Sequence, residues 1–343
     1  MENKHVLVKT LNRNTQLLLN CGDDVGSMKL AVDYFYKIYS LITGVKIDTI
    51  NQDKDILLPS GKAISTAAAA HCLLEMKRTA VFLRGINKAI ALKLSQGTSK
   101  PIRILYAGTG PYGTLLTPLL ALYKSTELKV DLLEINQQSL KALYKLIGTL
   151  GLSRYIGDAF CADATTFRVS KPYDIVISET MLACLKSEPQ VAIMQNLTPQ
   201  LTGSCIFIPE EITIDACLTN PKMEMDRLMY TETEQPAFER YLLGNVFTLS
   251  KQNLNGVLSC KTFLIPWITA SFPVLKLFTS VRVFAGELLA ENDSSITLPK
   301  QYYDFRTQEA DRVEFWYEQG EKPHIRSRIV EHKQISKTVG VEF

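Results

Sequence analysis

Ile102-Arg103-Ile104-Leu105-Tyr106-Ala107-Gly108-Thr109-Gly110-Pro111-Tyr112-Gly113 is the stretch whose reading decides the fold. Its first six residues are a short apolar run consistent with a buried strand, and Gly108, Gly110 and Gly113 follow in the spacing GxGxxG. Leu115 to Lys124 then reads as a helix. A strand, a glycine turn and a helix in that order bring side-chain-free backbone and unpaired N–H groups to a place where a nucleotide can approach. Glycines so spaced also make plain strand-to-helix turns, so the following strands must decide.

Downstream, Lys129 to Ile135 reads as a second strand, Ser139 to Leu150 as a helix, and Tyr173 to Ser178 and Cys205 to Ile208 as further strands. Strands alternating with helices imply a mostly parallel sheet with right-handed crossovers. Glu134 falls at the end of the second strand, followed by Ile135, where a carboxylate can accept both hydroxyls of a ribose. Asp163, followed by Ala164, falls where a third strand should end, and suits an adenine amino group; its local alternative is to cap Thr165-Thr166. Open parallel sheets bind ligands beyond the carboxyl ends of their strands, so Gly108, Thr109, Gly110, Glu134, Ile135, Asp163 and Ala164 face one crevice. Together they favour an adenosine ligand, without separating S-adenosylmethionine from a dinucleotide.

Upstream of the glycine turn, residues 1–100 read as mainly helical from about Lys29, after a start in which Leu17-Leu18-Leu19 fits strand or helix. The run from Ser65 is rich in helix formers, which predicts a helix through Leu83 with Ser65 or Ser60-Gly61 as cap and Gly85 as a point of interruption. Gln96 to Lys100, followed by Pro101, is a turn cluster at which a new module begins. After about Ile212 short apolar runs are broken by Asn255-Gly256, Pro266, Pro273, Gly286 and Gly320. Thr262 to Phe278 reads as core strands, and Val281-Arg282-Val283 and Val313 to Tyr317 alternate. The expected organisation is a helical region over 1–100, an α/β domain with a mostly parallel sheet over 101–211 and a β-rich, barrel-like domain over 212–343.

The 343 residues are 46% hydrophobic and 21% charged, enough for a substantial core and too little polar bias for extensive disorder. A net charge of +3 gives no reason to expect nucleic acid or anionic lipid as a partner. The polar start and the lack of a long apolar run predict neither signal peptide nor membrane span. Seven scattered cysteines without CxxC spacing, beside four histidines, suggest reduced thiols in a cytoplasm and no metal site.

On these residues the chain resembles the class I S-adenosylmethionine-dependent methyltransferases, and more narrowly the protein arginine methyltransferases, from about Tyr34 to the end. The resemblance implies a Rossmann-like domain holding S-adenosylmethionine. In that family an acidic pair after the fourth strand clamps a guanidinium, and Glu179 and Glu188, nine residues apart, match it here. Two carboxylates can hold a planar guanidinium by charge-assisted bonds and aim one nitrogen at a methyl donor. Glu75-Met76-Lys77-Arg78-Thr79 resembles the family helix whose Arg-Thr pair lies over the cofactor, placing Arg78 on its methionine carboxylate. Tyr34-Phe35 with Tyr39 is similar to an aromatic motif that covers the cofactor, and Leu197 to Pro209 to the run leading into the family's β-barrel.

The chain also departs from the family. Tyr106 stands where many members have an acidic residue, Pro111 follows the second glycine, and no Thr-His-Trp segment braces the acidic loop; Pro266-Trp267-Ile268-Thr269 is its nearest approach. The leading expectation is therefore N-methylation of a guanidinium or other nitrogen on a peptide or small molecule, with a homodimer in keeping with relatives. The alternatives are O- or N-methylation of a metabolite on the same fold, a nicotinamide-dependent oxidoreductase, and a non-catalytic adenosine-binding protein.

Overall fold

The computed structural model describes residues 2–49, 54–97, 101–229, 239–254 and 259–330. The turn residues Asn255-Gly256 and the Thr98–Lys100 part of the upstream turn cluster lie outside them. Helices α1 (Glu2–Asn20) and α2 (Val25–Thr43) lead the chain, so the ambiguous Leu17–Leu19 run is helical and helix begins well before Lys29. Leu11 and Leu18 are buried on the core side of α1, while Met28, Ala31, Val32, Phe35 and Tyr39 supply the stripe of α2. Asp24 caps α2 through the Ser27 N–H, and Gly44, in left-handed conformation, ends it.

A hairpin, β1 (Ile56–Leu58) and β2 (Gly61–Ala63), interrupts this helical region. The helix expected from Ser65 to Leu83 is two: α3 (Thr66–His71), capped by Ser65 as expected, and α4 (Met76–Ser95). They part at a single-turn segment ending on Glu75, whose ψ of 83° leaves the helical region. No glycine or proline marks that break; it is a tertiary choice, with Leu73 fully buried and its carbonyl accepting the Thr79 hydroxyl. Gly85 does not interrupt α4. A Cβ there would lie 2.5 Å from Val283, so the missing side chain lets the helix press on the β-rich half.

The parallel sheet comprises β3 (Ile102–Ala107), α5 (Thr117–Leu120), β4 (Leu128–Leu133), α6 (Gln137–Leu150), β5 (Ile156–Phe160), β6 (Ile175–Ser178), α7 (Gln190–Leu197) and β7 (Ile206–Ile208). Its strand order is β5-β4-β3-β6-β7, every pairing parallel. Ile104, Leu105, Val130, Leu133, Val176 and Ile177 have no exposure, as covering on both faces demands. α5 is one turn, shorter than the Leu115–Lys124 expected. Gly113 holds the left-handed region and the Thr117 hydroxyl bonds the Tyr112 carbonyl, so the chain is still turning at residue 116.

The rest of the chain gives β8 (Glu211–Thr219), α8 (Pro221–Met229), β9 (Tyr241–Ser250), β10 (Lys261–Leu264), β11 (Val274–Phe284), β12 (Glu287–Leu289), β13 (Lys300–Asp304), β14 (Arg312–Glu318) and β15 (His324–Val330). They form two antiparallel sheets: β12-β11-β8-β9 with β13 on β11, and β10-β14-β15. Phe247 with Tyr317, and Phe263 and Tyr302 with Phe315, pack aromatic rings where these sheets meet. Thr262 to Phe278 is core only from Phe272 onward. Leu264 is exposed, and Trp267, 91% exposed, sits on a short surface turn. Among the described residues no helix is long and apolar enough to cross a membrane, and no group of His, Cys, Asp and Glu is placed to hold a metal.

Candidate functional site

The register of the sheet sets the site. Ala107 pairs with Leu133 on one side and Ser178 on the other, so the next residues of three adjacent strands, Gly108, Glu134 and Glu179, emerge side by side. This is also where the chain, having built strands on one side of β3, crosses to β6 on the other, the crevice at which open parallel sheets bind ligands.

A cavity of about 310 Å³ opens there. Arg78, Gly108, Thr109, Gly110, Glu134, Ile135, Asp163, Ala164, Glu179 and Glu188 all line it. Gly108 and Gly110 have φ of +74° and +60°, and a Cβ on Gly108 would stand 2.5 Å from the Thr180 methyl. The turn at these positions therefore requires glycine for both conformation and space.

Glu134 is 7% exposed and held by its own chain: Oε2 accepts the Gly110 N–H at 2.8 Å, and Oε1 the Asn136 N–H at 2.8 Å. Burial raises its pKa against the pull of those amides. A carboxylate offers about four lone-pair directions; the Thr109 hydroxyl, 3.5 Å from Oε2 and 3.1 Å from the Gly110 carbonyl, takes at most a third, which leaves one or two for hydroxyl donors. Asp163 accepts the Thr165 N–H on Oδ1, which realises the local turn, and still borders the cavity.

Arg78, at the start of α4, donates to Glu179 from Nη2 and to Glu75 from Nη1, the latter at 3.3 Å. Its guanidinium is buried, and the two carboxylates raise its pKa against the cost of burial. Burial raises the pKa of Glu179 although Arg78 opposes it, and Glu179 Oε1 is buried without a partner. Glu188 is pushed up to about 8, by burial first and then by the Glu179 charge. The two candidate clamp residues thus differ: one carboxyl rests on a guanidinium, and the other favours its neutral form near pH 7.

The loop between them is held in an unusual shape. Cys184, Leu185 and Ser187 have φ of 57°, 53° and 70°, a region that non-glycine residues enter at a cost. Four bonds from elsewhere maintain it: Thr279 Oγ1 accepts the Cys184 N–H, Tyr317 donates to the Leu185 carbonyl, and the Lys62 N–H donates to the Ser187 carbonyl. The fourth runs from the Ser187 N–H to the Pro323 carbonyl. Gly61 is packed on the Ser187 carbonyl, where a Cβ would lie 2.8 Å away.

One expectation does not hold. Tyr34, Phe35 and Tyr39 do not line the cavity; Phe35 and Tyr39 are fully buried in the core, Tyr39 against Tyr112 with ring centroids 5.6 Å apart. The cavity is covered instead by the hairpin, through Leu58, Lys62 and Ala63, and by α3, through Ala68, Ala69 and His71. Trp267 is not among the residues that line the cavity. From the β-rich half, β11, β15 and the short turn Ser295–Thr297 pack against the acidic loop, and Ser295 reaches the cavity. Glu75, which sequence reasoning gave no role, lines the cavity beside Arg78. Its signal was positional: it precedes Arg78 by three residues, one helical turn.

Neither a family model nor a curated protein matches this sequence. Among solved structures the chain is similar to one described as the Trypanosoma brucei PRMT1 enzyme-prozyme heterotetrameric complex with AdoHcy. The two share 12% identity over 77% of this chain and 91% of that one, with a TM-score of 0.49. A likeness at that level assigns no residue a role.

Proposed function

We propose that this chain is an S-adenosylmethionine-dependent methyltransferase acting on a nitrogen, a guanidinium being the favoured acceptor, on a peptide or a small molecule. The observation that carries the reading is the emergence of Gly108, Glu134 and Glu179 from three neighbouring strands into one cavity. The donor set fits the cofactor: a glycine turn without Cβ atoms, a buried carboxylate with lone pairs to spare, a guanidinium and an orphaned carboxylate oxygen. When bound, S-adenosylmethionine supplies a methyl group on a positively charged sulfur.

In this reading Glu134 accepts the ribose hydroxyls and Asp163 the adenine amino group. Arg78 has five N–H donors, and its two carboxylate partners leave some for the cofactor's own carboxylate. Glu75, which lines the cavity beside Arg78, suits the cofactor's ammonium. Glu179 Oε1 and Glu188 hold the acceptor cation by charge-assisted bonds and fix one nitrogen toward the methyl group, so that positioning supplies most of the catalysis.

The test is incubation of the protein and its Glu179→Gln variant with methyl-labelled cofactor, an arginine-peptide library and a metabolite extract. Label on a guanidinium with wild type alone supports the reading. Label on oxygen acceptors, or equal labelling by the variant, overturns the clamp.

A further inference from the structure

We infer that Gln190 is a positioning residue: its carboxamide clasps the two ends of the acidic loop together and so sets where Glu179 and Glu188 stand relative to each other and to the glycine turn. The inference rests on the methyltransferase reading of the site and adds a residue that neither borders the cavity nor belongs to the acidic pair.

Gln190 opens α7 two residues after Glu188, and it has no exposure. Its Oε1 accepts two hydrogen bonds from Thr180, the residue after Glu179: one from the backbone N–H at 2.9 Å and one from the hydroxyl at 3.0 Å. A backbone N–H can only donate, so the amide orientation follows from the bond itself. A single side-chain oxygen thus joins the residue next to Glu179 to the residue two places beyond Glu188. Thr180 in turn lies over Gly108, with its methyl where a Cβ would be 2.5 Å away. The clasp therefore reaches from α7 through the acidic loop to the turn that faces the cofactor.

The other half of the amide argues for a positional role rather than filling of space. Gln190 Nε2 is buried and has no hydrogen-bond partner. An apolar side chain of similar size would fill the volume without that orphaned donor, whereas the carboxamide provides the acceptor that Thr180 needs. The loop also needs an anchor at this end: the four bonds that hold its strained middle fall on Cys184, Leu185 and Ser187, and none touches Thr180.

The experiment uses the full chain with Gln190→Met, which keeps the volume and loses the acceptor, and Gln190→Glu, which keeps an acceptor oxygen. Thr180→Val, which removes one of the two bonds from the opposite side, serves as a second variant should the methionine form not fold. Three quantities are read: hydrogen exchange over residues 179–188, affinity for S-adenosylhomocysteine, and turnover at saturating acceptor. Gln190→Met should speed exchange in that segment by about tenfold. Its turnover should fall by about tenfold with cofactor-product affinity changed less than about threefold. Gln190→Glu should recover protection and most turnover.

Unchanged exchange in Gln190→Met overturns the clasp. So does a loss of turnover that only tracks the loss of affinity and is not recovered in Gln190→Glu. Wild type that binds no S-adenosylhomocysteine and transfers no methyl overturns the reading of the site instead, while the exchange measurement still decides whether Gln190 holds the loop.

Discussion

Arg78 and Glu179, 101 residues apart in sequence, form an ion pair inside the cavity, the guanidinium of one on the carboxylate of the other. Both side chains are under 10% exposed, so neither charge is tolerable alone. Arg78→Met should destabilise the chain by about 3–5 kcal/mol, and Arg78→Met with Glu179→Gln should recover part of that loss. Thermal melts of the three variants check this; additive losses in the double variant contradict a coupled pair. Glu179→Gln alone should still bind S-adenosylhomocysteine while methyl transfer falls by about two orders of magnitude.

Glu188 makes a prediction in pH. Its carboxyl is raised from an ordinary 4.5 to about 8, so the folded chain keeps a proton that the unfolded chain has released. The stability linked to that proton is complete below about 4.5 and is lost as pH rises toward about 8, by at most about 1.4 kcal/mol per unit. Glu188→Gln removes the dependence, so its advantage over wild type should be small near pH 5 and clear at pH 8 in urea denaturation. An advantage that does not change with pH excludes the buried acid. Because holding a cation requires the ionised form, log kcat/KM for the acceptor should also climb toward about pH 8 in wild type and be flatter in the variant.

Two glycines should respond in opposite directions to the same change. Gly108 has φ of +74° and a neighbour 2.5 Å from any Cβ, whereas a Cβ on Gly148, inside α6, meets nothing within 4 Å. Gly108→Ala should destabilise by roughly 1–3 kcal/mol and abolish cofactor binding. Gly148→Ala should stabilise by roughly 0.5–1 kcal/mol and leave binding intact. Calorimetry and urea titration of both proteins give the comparison; normal cofactor affinity in Gly108→Ala contradicts the role given to the turn.

These features were unequally legible in the sequence. The strands around the glycine turn could be read because their apolar runs are buried on both faces, and the polar residues that end them stand out against those runs. Glu134 is legible for that reason, while Glu179 and Glu188 are marked by the spacing of nine that the family resemblance implies. The break at Glu75 was not, because residues 65–83 carry strong helix formers throughout and the kink is imposed by burial of Leu73 and pairing of Glu75 with Arg78. The hairpin over the cavity was missed because its two strands have three residues each, too few to show alternation. Phe35 and Tyr39 misled in the opposite sense: an aromatic stripe at helical spacing is the same whether it faces a ligand or a core, and here it faces the core.

The central claim is the identity of the ligand in the crevice beyond β3, β4 and β6. Isothermal titration of the full chain with S-adenosylhomocysteine, with NAD in a parallel cell and Glu134→Ala as control, tests it most directly. The prediction is saturable one-to-one binding of S-adenosylhomocysteine that weakens by at least about tenfold in Glu134→Ala, a loss of about 1.4 kcal/mol or more, with no heat from NAD. Binding of NAD in place of S-adenosylhomocysteine, or binding of S-adenosylhomocysteine unchanged by Glu134→Ala, would contradict it.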